Sequence, residues 1–91
     1  MANHPSAQKR HRQSVKRHAR NQIVKTRVRN LLRAVRNAIR TGDHAAARTE
    51  FARAARALDK AVVKGVVHRN NASRRIARLA RAVGQLEASA R

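Results

Sequence analysis

Apolar residues recur at helical spacing in three separate stretches of the chain. The first holds Val24, Val28, Leu31, Val35 and Ala38, with steps of four and three in alternation, widened by Leu32 and Ile39. This spacing predicts an amphipathic helix. It stops at Thr41-Gly42, where glycine can take the left-handed conformation that closes a helix, behind an Arg40 that suits the negative end of the dipole. Asp43 follows and is placed to cap a second helix. That helix carries Ala47, Phe51, Ala54, Ala55, Leu58 and Val62, and ends at Lys64-Gly65 in the same way. The third stripe is Ala72, Ile76, Leu79, Val83 and Leu86. Its start falls between Val67 and Asn71, and the sequence does not fix which residue caps it.

Such short breaks make consecutive helices antiparallel neighbours, and four-three alternation favours shallow crossing angles. The expected fold is all-α: an antiparallel three-helix bundle over residues 23–91, running up, down and up. Its core is thin, rich in Ala and poor in large side chains. At about 0.8 kcal/mol per buried methylene, such a core is marginal. No pocket of ligand size is expected in it.

Residues 1–22 differ. Ala7, Val15 and Ala19 are too scattered to form a buried face, yet nothing after Pro5 breaks a helix. Ser6 or Asn3 could cap it. The first helix is therefore expected to be long and basic, extending as an N-terminal arm. Lys9, Arg10, Arg12, Lys16, Arg17 and Arg20 surround this arm, and like charges at helical spacing oppose helicity by roughly 0.2–0.5 kcal/mol per pair. The expectation is an arm that frays in the free protein and becomes helical against a polyanion.

Charge changes the picture from a small bundle to a polycation. The chain has 91 residues, with 23 Lys+Arg against 4 Asp+Glu, a formal net charge of +19 and a sequence pI of about 12.0. No acidic residue precedes Asp43. A compact molecule with that imbalance repels itself unless a polyanion is its partner. With no Cys, thiolate chemistry and Cys-ligated zinc are excluded. Phe51 is the one aromatic residue, which disfavours base-stacking platforms and interfacial membrane helices. No apolar run reaches the roughly 20 residues of a membrane span. The N-terminus lacks the apolar centre of a signal peptide and reads as mature sequence. Its basic, acid-poor character also resembles a transit peptide, but the pattern continues unbroken into the rest of the chain.

Lys25, Arg29, Arg33, Arg36 and Arg40 form a cationic stripe beside the first apolar face, and Arg69, Arg74, Arg75, Arg78 and Arg81 form another on the third helix. Arginine offers phosphate a planar, bidentate fork, so nucleic acid is the expected partner. Charge alone leaves RNA and duplex DNA both open. His4, His11 and His18 recur every seven residues and share a helix face, but the rise of about 10.5 Å between neighbours is too long for a shared metal. His44 is expected to be exposed near a helix start. The carboxylates are scattered: Asp43 serves as a cap, and Glu50 or Asp59 pair with Arg53 or Arg56. No catalytic constellation, metal site, cofactor or small-molecule substrate is expected. The rival readings are a dimeric architectural DNA-binding protein and, more distantly, a cationic membrane-surface helix.

The residues also carry a resemblance. Met1-Ala2-Asn3, Ser6-Ala7, Lys9-Arg10, Arg12, Lys16-Arg17, Arg20-Asn21 and the segment Val24-Lys25-Thr26-Arg27-Val28-Arg29 resemble the arm of the bacterial small-subunit ribosomal protein S-twenty family. Leu58-Asp59-Lys60-Ala61, Lys64-Gly65-Val66-Val67-His68-Arg69-Asn70, Arg74-Arg75 and Arg78-Leu79-Ala80 continue the likeness nearly end to end. The resemblance implies a monomer within the cytoplasmic ribosome that binds 16S rRNA, chiefly in the 5′ domain with a further contact to the long 3′ stem. It implies RNA contacts at Lys9, Arg10, Arg12, Lys16, Arg17, Arg20, Asn21 and Lys25, and at Lys64, His68, Arg69, Asn70, Arg74, Arg75 and Arg78. Arg29 joins them from the cationic stripe. His11, Val15, His18, Ala19, Ile76 and Ala77 depart from the family pattern, and Ile76, on the apolar stripe, is expected to pack.

Overall fold

The computed structural model describes residues 5–89. They form three α-helices: α1 (Pro5–Thr41), α2 (His44–Val63) and α3 (Arg69–Ser89). The molecule is elongated, 66 × 21 × 16 Å, because α1 is nearly twice the length of its neighbours.

The turns follow from backbone chemistry. Gly42 and Gly65 have φ of 79° and 76°, the left-handed region that a Cβ disfavours. At the end of α1, Gly42 N donates to Ile39 O and Asp43 N to Ala38 O, both at 3.1 Å. At the end of α2, Gly65 N donates to Val62 O at 3.0 Å and Val66 N to Ala61 O at 2.9 Å. Both are Schellman closures, which satisfy the orphan carbonyls of a helix end. Asp43 closes α1 and opens α2 at once: its Oδ1 accepts from Ala46 N at 3.0 Å. The expected cap and both glycine stops are thus in place. Pro5 begins α1, so Ser6 lies within the first turn of the helix. Asn3, the other candidate cap, and His4 lie outside the described residues.

The buried residues are Val28, Leu32, Val35 and Ala38 of α1, Ala47, Ala54, Leu58 and Ala61 of α2, and Ala72, Leu79 and Val83 of α3. Ala47, Ala54 and Ala61 recur every seven residues, a seam of small side chains that brings the α2 backbone close to its neighbours. Ile76 and Leu86 are half-buried against this core, so Ile76 packs as its stripe position predicts. Glu50 meets Arg53 at 3.5 Å on α2, and Arg48 meets Glu87 at 2.8 Å between α2 and α3. The latter pair, 39 residues apart, is not visible in the sequence pattern.

α2 is the central helix. α1 and α3 both pack on it and scarcely meet each other. Val24 is the first α1 residue packed against the core, and residues 8–20 are all exposed. About 27 Å of helix, at 1.5 Å per residue, therefore projects beyond the bundle, past the turn between α2 and α3.

Candidate nucleic-acid interface

Because α1 and α3 diverge across α2, an open groove of about 720 Å³ lies between them. The expectation that so thin a bundle holds no such concavity is not met, and the divergence is the reason. The groove floor is Val28, Leu32 and Leu79; its walls carry Lys25, Arg29 and Arg36 from α1, and Arg74, Arg75 and Arg78 from α3. No carboxylate lines it. Neighbouring cations without counter-charges raise a positive potential that only an anion relieves. A groove with donors on both walls and an apolar floor suits phosphates at its rim.

Val66, Val67, His68 and Asn71 complete the lining, where the turn leads into α3. His68 has a role that the sequence does not disclose. Its Nδ1 accepts from Asn70 N at 3.1 Å, and its backbone carbonyl accepts from Ala72 N at 3.1 Å. It is therefore the cap of α3, a function usually taken by Ser, Thr, Asp or Asn. With Nδ1 engaged as an acceptor, the neutral ring carries its proton on Nε2.

A second groove of about 460 Å³ lies between α1 and α2. Ile23, Val24 and Leu31 lie along it beside Arg27, Arg53, Arg56, Lys60 and Lys64. Ile23 is 71% exposed there.

The arm joins these two surfaces by helix geometry. At 3.6 residues per turn, Lys9, Lys16, Arg20 and Arg27 fall on one line along α1, which leads into the α1–α2 groove. His11, His18, Lys25, Arg29 and Arg36 fall on a second line, about half a turn away, which leads into the α1–α3 groove. The arm cations therefore occupy about one half of the cylinder instead of surrounding it. His11 and His18 lie on the other half. Among the described residues no cluster of His, Cys, Asp or Glu could hold a metal ion.

The residues singled out in the sequence are thus distributed over four places. Lys25, Arg29, His68, Arg74, Arg75 and Arg78 meet in the α1–α3 groove. Lys64 lines the other groove. Lys9, Arg10, Arg12, Lys16, Arg17 and Arg20 stand exposed on the arm, with Asn21 half-buried at its root. Arg69 and Asn70 are exposed at the start of α3 and line neither groove. Sequence reasoning does not select Asn71, or Arg27, Arg53, Arg56 and Lys60. Arg36 enters it only through its stripe.

The family model described as Ribosomal protein S20 matches residues 2–84. The chain belongs to the ribosomal protein S20 family. Relatives are similar along nearly their whole length. A protein of Oleidesulfovibrio alaskensis named "Small ribosomal subunit protein bS20" is 53% identical over 87 residues, covering 96% of this chain and all of the relative. The protein of the same name from an Anaeromyxobacter species is 54% identical over 89 residues, 98% of this chain and 99% of the relative. That of Acidiphilium cryptum is 50% identical over 90 residues, 99% of this chain and all of the relative. The S20 match spans the arm, both turns and most of α3. As a member of the ribosomal protein S20 family the chain is a ribosomal protein and not an enzyme.

Proposed function

We propose that this S20-family chain is a structural constituent of the small ribosomal subunit that binds 16S rRNA directly, in the 5′ domain and at the long 3′ stem, and stabilises its fold during assembly. The α1–α3 groove carries the reading: six cations on two facing walls with no carboxylate among them. Family membership favours rRNA over duplex DNA, which the groove by itself would also accept. The protein acts as a monomer within the cytoplasmic ribosome, and needs neither cofactor nor small-molecule substrate.

The mechanism is an electrostatic clamp. Residues 1–22 form the arm and residues 23–91 the bundle. Lys25, Arg29, Arg74, Arg75 and Arg78 grip phosphates along the groove, with the His68 Nε2 as a further donor. Arg69 and Asn70 extend this surface past the start of α3. Lys9, Arg10, Arg12, Lys16, Arg17, Arg20 and Asn21 track RNA beyond the bundle, and Lys64 engages it from the other side. Two basic surfaces on different sides of α1 suit a chain held between two RNA segments. Phosphate contacts fix position while RNA shape selects the site.

Footprinting on naked small-subunit rRNA at physiological salt, with unrelated RNA and duplex DNA as competitors, tests this reading. The expected result is protection confined to the 5′ domain and the long 3′ stem. Diffuse protection, or equal loss to duplex DNA, would leave a generic polycation and favour the architectural DNA-binding alternative.

A further inference from the structure

The groove between α1 and α3 is rich in hydrogen-bond donors and poor in acceptors. Lys25, Arg29, Arg36, Arg74, Arg75 and Arg78 carry N–H groups only. They suit phosphate oxygens, which RNA and DNA share. What marks RNA is the 2′-hydroxyl, both donor and acceptor; these cations can donate to its oxygen as they do to phosphate, but none can accept its proton. The Nδ1 of His68 is already occupied by Asn70 N. Among the lining side chains, that leaves the carbonyl of Asn71.

This carbonyl is unusual in the free protein. The Asn71 Oδ1 is enclosed and has no hydrogen-bond partner, although the side chain as a whole is only half-buried and stands on the groove wall. A buried acceptor without a partner is destabilising and uncommon. An apolar side chain at this position would avoid that cost, so stability does not account for the amide.

We propose that Asn71 distinguishes ribose from deoxyribose in this groove. As the strand enters, the amide turns about its Cβ–Cγ bond, a broad torsion in asparagine, and Oδ1 accepts a hydrogen bond from a 2′-hydroxyl. The cations supply affinity without discrimination; Asn71 supplies discrimination. This rests on the groove being the RNA-binding surface proposed above.

The test compares wild type, Asn71→Leu and Arg74→Ala on the rRNA fragment protected in the footprint. The fragment is made once entirely of ribonucleotides and once with 2′-deoxy residues at the protected positions. Wild type is expected to bind the deoxy form about 3- to 10-fold more weakly, the worth of one net hydrogen bond. Asn71→Leu binds both forms alike, and unfolds at or above the wild-type temperature because the orphaned carbonyl is gone. Asn71→Ala repeats the comparison with a side chain too small to crowd the start of α3. A ribose preference kept in full by both variants overturns the proposal, as does a wild type with no preference. So does a fall in unfolding temperature in both variants, which would make the amide structural. Arg74→Ala weakens both forms equally. If it weakens neither, the groove lies off the RNA and the underlying reading fails first.

Discussion

Gly42 and Gly65 end their helices in a conformation that other residues adopt only under strain, and an added Cβ at either would meet nothing within 4 Å. The penalty of a substitution is therefore conformational and not steric. Gly65→Ala is expected to cost about 1–2 kcal/mol, and Gly65→Asn less, since asparagine tolerates this region. At about 4–8 °C per kcal/mol for a domain of this size, thermal unfolding resolves the two. Equal melting temperatures for the two variants would point to a loss of the closure itself. Asp43→Ala is expected to cost about 0.5–2 kcal/mol, the usual worth of an N-cap, measured the same way. These positions are legible in the sequence because their causes are local: a glycine after the last apolar position, an aspartate before the first. His68 and Asn71 are not. The cap at His68 depends on its ring turning toward Asn70 N, and the enclosure of Asn71 depends on the surrounding tertiary fold. Neither leaves a mark on residue type or spacing.

The three helices and their inward faces are readable from periodicity alone, since each stripe must be buried against something. How α3 divides its contacts between two neighbours is not. That depends on how α1 and α3 share the surface of α2: both pack on it and scarcely meet each other, and the groove lies between them. Leu58, fully buried on the central helix, is the side chain on which this arrangement most depends. Leu58→Ala is expected to cost about 2–5 kcal/mol, a large share of the stability of so thin a core, and to remove cooperative unfolding near ambient temperature. A sharp transition only slightly below that of wild type would show that α2 is not central to stability. The arm of α1 is the opposite case. Residues 8–20 are exposed, so helicity there rests on backbone bonds set against like-charge repulsion. Amide exchange in the free protein should be fast around Arg12 and slow when rRNA is bound. Strong protection there without RNA would count against an arm that orders on binding.

A net charge of +19 on 91 residues makes ionic strength the dominant variable for the whole molecule. If roughly six to ten phosphates are neutralised, affinity should fall about 10³–10⁵-fold between about 50 and 200 mM salt, by analogy with duplex DNA. The slope of that fall can be divided between surfaces, because the arm carries two distinct lines. Lys9, Lys16 and Arg20 share one, and replacing all three with Gln keeps helix propensity while removing three cations. If this line tracks RNA, the logarithmic slope should flatten by about 2–3, at roughly 0.7–0.9 per lost phosphate contact. The His11→Gln, His18→Gln protein alters the other line without removing a Lys or Arg, and its slope at neutral pH should remain near that of wild type. A slope unchanged by the triple replacement would mean that the arm projects away from RNA, leaving the grooves to carry the electrostatic binding. Equal flattening in both proteins would mean that RNA encloses the arm on every side. The sequence places these charges on one helix, and only the helix geometry separates them into two lines that lead to two different grooves.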